Sequence, residues 1–191
     1  ILALPDLDQD SKADEARAVL TGLSDLPHGI AFHNGYLYVT EEHRISRYPY
    51  LNDGNVGEQE VIVEDLSSGI GHLSRTIGFS AAGEMYVSVG SSCNVCEEQS
   101  KRRAVILQFD SNGSNGRVFA EGIRNAVGFV FHPVTGEMWA TENARDLLGD
   151  DLPPDEINIV RKGNNYGWPY CYGRNVPDPE YGDASLCRTT K

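Results

Sequence analysis

The sequence predicts an all-β chain built from a repeated unit of four short strands. Three observations predict it: apolar residues alternate over short runs bounded by glycine and polar turns, the same order of strand types recurs three times, and helical periodicity is almost absent. The 191 residues suffice for one domain with a real core, and 40% hydrophobic content suits a globular chain. No run approaches the ~18 apolar residues of a membrane span. A formal net charge of -12 opposes binding to a nucleic-acid backbone and suits a surface that tolerates cations. The sequence opens at Ile1 with no visible leader, as it would if one had been removed or omitted.

The elements follow in order. Residues 17–23 (RAVLTGL), 60–66 (EVIVEDL) and 117–123 (RVFAEGI) each read as a short outer strand ending in a small or acidic residue and then Leu or Ile. Residues 14–20 could start a helix but fit the outer-strand pattern better. A polar turn then leads to a glycine-containing inner strand at 28–32 (HGIAF), 75–79 (RTIGF) and 127–131 (VGFVF). Hairpin turns at Gly35, Gly83 and Gly136 lead to second strands at 36–40, 84–89 and 137–141, each with an aromatic. Third strands close the units at 44–48, 104–109 and 156–160. Phe32, Phe79 and Phe131 are 47 and 52 residues apart, and four short strands at that period mark β-propeller blades. Small residues beside the aromatic suit a crowded strand near a central axis. The units run approximately 24–66, 67–123 and 124–173, with a loop-like tail at 174–191 containing Pro177, Pro179 and Gly182. Three units do not close a ring, so the chain reads as part of a larger propeller completed by further blades or a partner chain. A β-sandwich of unrelated hairpins is the competing fold.

Four cysteines, Cys93, Cys96, Cys171 and Cys187, in an acidic, strand-rich chain favour an exported protein with two disulfides, most simply 93–96 and 171–187. Free thiols and a metal site are the alternatives. Zinc would need a second ligand pair, and Cys171 and Cys187 have the wrong spacing for one. Haem attachment would need His where Glu97 stands.

In a propeller, the connection from an outer strand to the next inner strand falls at one rim of the central channel. Those connections are LPHG (26–29), SSGIGHLSR (67–75) and RNAVG (124–128). They place His28, then His72 with Arg75, then Arg124 with Asn125 at equivalent turns. One loop histidine is more often a surface residue than a base; three polar clusters converging on one pocket carry more weight. The insertion 91–103 is long enough to wall that pocket. The stretch PDEINIVRKGNNYGWPYCYG adds two acids, Asp155 and Glu156, after a loop with Asp146, Asp150 and Asp151, a supply of hard oxygen ligands suited to calcium. A solvated acidic loop is the plain alternative, with Trp168 and Tyr170 as core.

With GHLSR, IGFSAAGEMYVSVGSSCNVCEE, EGIRNAVGFVFHPVTGEMWATEN and LPPDEINIVRKGNNYGWPYCYG in this order, the chain resembles the glucose/sorbosone dehydrogenase family, which includes aldose sugar dehydrogenases. The resemblance runs from about Leu20 to Gly173, roughly the first half of a family member. It implies a soluble, periplasmic or secreted quinoprotein on a six-bladed propeller, using pyrroloquinoline quinone (PQQ) and calcium to oxidise a sugar or sugar aldehyde. Electrons would pass on to an external acceptor. By the same resemblance, His72 matches the general base, Arg124 and Asn125 the contacts to the quinone oxygens, and Asn143 a further cofactor contact. The backbone carbonyls of Ala144 and Arg145 fall where calcium is held beside the quinone, although family members with Gly-Pro there differ from this Ala-Arg. Glu156 and Tyr166 match a structural calcium site. The alternatives are a calcium-dependent propeller lactonase, which wants carboxylate and Asn metal ligands at the axis, and a propeller kept only for binding.

Overall fold

A computed structural model describes residues 1–23, 26–182 and 184–187. Antiparallel strands dominate. A four-stranded sheet contains β3 (Ile30–His33), β4 (Tyr36–Thr40), β5 (Ile45–Pro49) and β6 (Glu60–Val63) in chain order. A second has β7 (Ile77–Phe79), β8 (Met85–Val89), β9 (Val105–Phe109) and β10 (Arg117–Glu121). A third has β11 (Phe129–Phe131), β12 (Met138–Glu142) and β13 (Glu156–Val160). Small two-stranded sheets flank these: β1 (Leu2–Ala3) with β2 (Arg17–Ala18), and β14 (Cys171–Tyr172) with β15 (Val176–Pro177). The only described helix is α1 (Ala184–Cys187). Among the described residues, no helix is long and apolar enough to cross a membrane.

The tight turns have a local cause. Asn34 and Gly35 have φ of 45° and 78°, the left-handed pair that a two-residue hairpin requires, and Gly83 and Gly136 also take positive φ. The inner strands β3, β7 and β11 lie side by side in succession. Crowding there demands small residues: a Cβ added at Gly78 would stand 2.9 Å from Phe129 Cε2 in the next sheet. Two inner-strand phenylalanines pack back on the preceding sheet, Phe79 against Tyr38 with ring centroids 4.7 Å apart and Phe131 against Tyr86 at 5.2 Å, whereas Phe32 is exposed.

The middle sheet is buried on both faces because its strands alternate between two cores. Met85, Val87, Val105 and Leu107 face Tyr38, Ile45 and Val63 of the first sheet, with Leu66 just after it. Tyr86 and Ile106 face Met138, Ala140 and Val160 of the third. Leu37, Val39 and Tyr48, on the far face of the first sheet, are covered by Ile1, Leu20 and Leu23. The far face of the third sheet is open, with Val130, Trp139 and Ile157 exposed.

Two segments differ from expectation. The strand expected over 17–23 shortens to β2, because Ile1 takes the next backbone partners: Val19 N donates to Ile1 O, and the Ile1 amino group donates to Leu20 O. The tail after Tyr172, expected as loop, folds into β15 and α1. The Cys171–Cys187 disulfide closes it, and the buried Asp178 accepts two bonds from Arg145 Nη1 at 2.9 Å each. The second disulfide joins Cys93 to Cys96, and there are no free cysteines among the described residues.

Candidate active site

Four segments meet at one rim through a ladder of backbone bonds: His72 N to Ser91 O at 2.9 Å, Ser91 N to Arg124 O at 2.8 Å, and Asn143 N to Asn125 O at 3.1 Å. They arrive from the entry to β7, the exit of β8, the β10–β11 connection and the exit of β12. His72, Arg124, Asn125 and Asn143 are therefore brought together. Gly90 makes the closest approach possible: a Cβ there would lie 2.5 Å from His72 Cβ and 2.7 Å from Asn125 Oδ1. Gly71 has a positive φ and no room for a Cβ against the backbone of Ser91 and Ser92. Arg75, expected at this rim, is fully buried behind it. Its Nη1 donates to His72 O and Ser74 O at 2.9 Å, and its Nε to Glu42 O at 3.0 Å, which fixes the His72 turn. His28 is exposed one connection away.

The half-buried His72 is oriented by Ser91. Its Nδ1 lies 3.1 Å from Ser91 O and 3.0 Å from Ser91 Oγ. A carbonyl only accepts, and the Ser91 hydroxyl already donates to Cys93 O at 2.7 Å. We therefore assign the proton of neutral His72 to Nδ1, which leaves the Nε2 lone pair without a partner among the described residues. Burial lowers the His72 pKa below its usual 6.5, and the Arg124 charge lowers it further. Asn125 is buried, yet its carboxamide makes no hydrogen bond to a described residue. A lone pair and an unused amide side by side can accept a proton and hold a ligand oxygen.

Arg124 sits deeper, 4% exposed, and all five of its N–H groups are committed to protein oxygens. Nε donates to Asn94 O at 2.9 Å; Nη1 donates to Asn143 O at 3.2 Å and Ala144 O at 2.7 Å. Nη2 donates to Asn94 Oδ1 and Asp146 Oδ2, both at 2.9 Å. The backbone N of Arg124 donates to Glu142 Oε1 at 2.7 Å.

Ala144, Arg145, Glu156 and Tyr166, the residues expected at calcium, all line one cavity of about 20 Å³, room for a water or one small ion. Glu142 lines it too, and burial pushes its carboxyl up to about 8. Glu142 Oε2 and Glu156 Oε2 both accept from Asn158 Nδ2, at 3.2 and 3.0 Å. A buried carboxylate beside a second one is a donor set that suits a hard cation. The Tyr166 hydroxyl is engaged elsewhere, donating to Ile159 O and accepting from Arg161 N. Asp155 accepts from Ala144 N, Asp146 pairs with Arg124, and Asp150 and Asp151 are exposed. Among the described residues, three acidic, Cys or His side chains converge at Asp6, Asp8 and Asp14 and at Cys93, Cys96 and Glu98, not along 146–156. Sequence reasoning missed Asn94, Ser91, Gly90 and Glu142. The last stands directly before Asn143 and carried the clearest signal, an acid at the end of an otherwise uncharged strand.

A family model described as TrAA12-like matches residues 4–181. The chain belongs to the TrAA12-like family. This TrAA12-like chain is 27% identical over 193 residues to a pyrroloquinoline quinone-dependent sugar dehydrogenase of Hypocrea jecorina (strain QM6a), a match covering 82% of this chain and 44% of the relative. Its structure is similar to the holo form of the pyranose dehydrogenase PQQ domain from Coprinopsis cinerea, with a TM-score of 0.81, 19% identity, and coverage of 97% of this chain and 57% of that one. It is equally similar to the calcium structure of Trichoderma reesei carbohydrate-active enzymes family AA12, with a TM-score of 0.81, 20% identity, and coverage of 100% and 60%. At such identities the likeness establishes the fold, and the stacked sheets are blades of a β-propeller. The TrAA12-like chain spans about half the length of the relatives it matches.

Proposed function

We propose that this chain supplies the base-bearing blades of a quinoprotein sugar dehydrogenase that oxidises an aldose or sugar aldehyde. The units 24–66, 67–123 and 124–173 would form about half of its ring. The observation that carries this reading is the free Nε2 of His72 beside the unused carboxamide of Asn125. When bound, PQQ would supply the two-electron acceptor for the sugar's hydride. His72 Nε2 takes the proton of the sugar hydroxyl, and burial keeps the imidazole neutral for that task at pH 7. Asn125 orients a bound oxygen. Arg124 lends positive charge from behind and gathers the carbonyls of Asn143 and Ala144, and direct contact with a quinone oxygen would require it to release one protein partner. The backbone carbonyls of Ala144 and Arg145, with the carboxylates of Glu142 and Glu156, would hold calcium, which would contribute Lewis-acid polarisation and binding. Two disulfides support a periplasmic or secreted setting, with an external acceptor removing the electrons. A lactonase needs carboxylates at the rim, where this chain presents His72, Arg124 and Asn125.

The test is reconstitution of the full-length protein with PQQ and calcium. A quinone absorbance change on binding, followed by sugar-dependent reduction of a dye, is expected. Absence of both in folded protein would leave a binding module.

A further inference from the structure

We infer that Asn94 is a positioning residue of this site, a clamp that sets where the Arg124 guanidinium stands; the inference rests on the functional reading above. Asn94 lies inside the four-residue ring closed by the Cys93–Cys96 disulfide, on the insertion that walls the rim. Its side chain pairs reciprocally with the backbone of Asp146, Oδ1 accepting from Asp146 N at 2.8 Å and Nδ2 donating to Asp146 O at 3.1 Å. The same Oδ1 accepts from Arg124 Nη2, and the Asn94 carbonyl accepts from Arg124 Nε, both at 2.9 Å. That carbonyl also accepts from Trp168 Nε1 at 3.3 Å.

A single residue therefore ties together three parts of the chain: the disulfide loop, the RN pair and the 143–146 loop. Only an uncharged amide can do this. The Asp146 backbone asks for an acceptor and a donor at once, and Asn94 provides both from one planar group. The neighbouring Cys93 carbonyl receives the Ser91 hydroxyl that orients His72, so the four-residue ring braces the base and the cation from one side. The Arg124 charge in turn helps lower the His72 pKa, so displacing the guanidinium should be felt at the imidazole. The other charges facing His72 are Asp146, which opposes the lowering, and Arg103, which adds to it.

The experiment uses the full-length protein and reads more than turnover. PQQ is titrated into Asn94→Ala, Arg124→Ala and the double variant, followed by tryptophan fluorescence, and turnover is recorded against pH. Asn94→Ala should weaken PQQ binding ~10-fold or more, the scale of hydrogen bonds to a charged group. It should also move the acid limb of the turnover profile to higher pH. In the Arg124→Ala background, adding Asn94→Ala should change little, because its effect runs through Arg124. Asn94→Asp keeps both acceptances and should bind PQQ more tightly than Asn94→Ala; it also serves if the alanine variant fails to fold. Equal losses in both Arg124 backgrounds, PQQ binding in folded Asn94→Ala matching wild type, or Asn94→Asp binding no better than Asn94→Ala, would overturn the clamp. Wild-type protein that binds no PQQ would instead overturn the functional reading beneath it.

Discussion

At the scale of single residues, the proposed function separates a group that would react, His72, from groups that would hold it. His72→Ala in the reconstituted full-length enzyme should lower turnover by ~10²–10⁴-fold, the usual worth of a positioned base, with PQQ affinity nearly unchanged. His28→Ala, exposed one connection away, should leave turnover within a few-fold in the same assay. The pH profile gives a second reading. With His72 as the proposed base, turnover would need its neutral form; its pKa lies below 6.5, so the rate should rise through an acid limb below that value and be flat at neutral pH. Arg124→Gln removes one of the causes that lower this pKa, and the limb should shift upward. His72, Arg124 and Asn125 were legible because each occupies the same turn of a repeat. Asn94 and the burial of Arg124 were not. Both depend on the 91–96 and 143–146 loops folding onto each other, across 52 residues of chain, and no local pattern encodes that meeting.

At the scale of elements, two junctions should respond to change. Gly90 ends β8 where His72 and Asn125 close in, so Gly90→Ala must push one of them aside. Overpacking of this kind typically costs about 1–3 kcal/mol. The expected outcome is a small fall in melting temperature with a much larger loss of turnover. The other junction is the buried pair of Arg145 with Asp178, which ties the segment after β14 to the site loop. Asp178→Ala would leave the guanidinium with the exposed Glu180 carboxylate and the Asp146 carbonyl, and should destabilise the protein by about 3 kcal/mol, read by denaturant unfolding. Calcium belongs to the same scale. At 100 times its dissociation constant it should add about 2.7 kcal/mol, visible as a chelator-sensitive melt, and Glu142→Gln should abolish that sensitivity. The repeated strands were legible from glycine turns and alternation. The folded tail was not, since its partners, Arg145 and Cys171, lie 33 and 16 residues upstream of Asp178 and Cys187.

At the scale of the whole molecule, the open face of the third sheet sets the behaviour of the 191-residue polypeptide by itself. Val130, Trp139 and Ile157 are 64%, 37% and 70% exposed on one surface, where the first two sheets each have a cover. Such a face should drive self-association, and Ile157→Lys should reduce it in sedimentation velocity. A wild-type monomer at high concentration would argue against that. The order of strands within the sheets has its own outcome. In each large sheet, the hydrogen-bonded neighbours are consecutive strands, so residues 30–63 already contain every rung of the first sheet. A nascent chain leaving the ribosome can thus finish one sheet before the next has been synthesised, and each finished sheet offers an apolar template to its successor. Biogenesis would then run from the amino terminus onward. Pulse-labelled exchange on stalled nascent chains should find the β3–β6 amides protected before those of β11–β13.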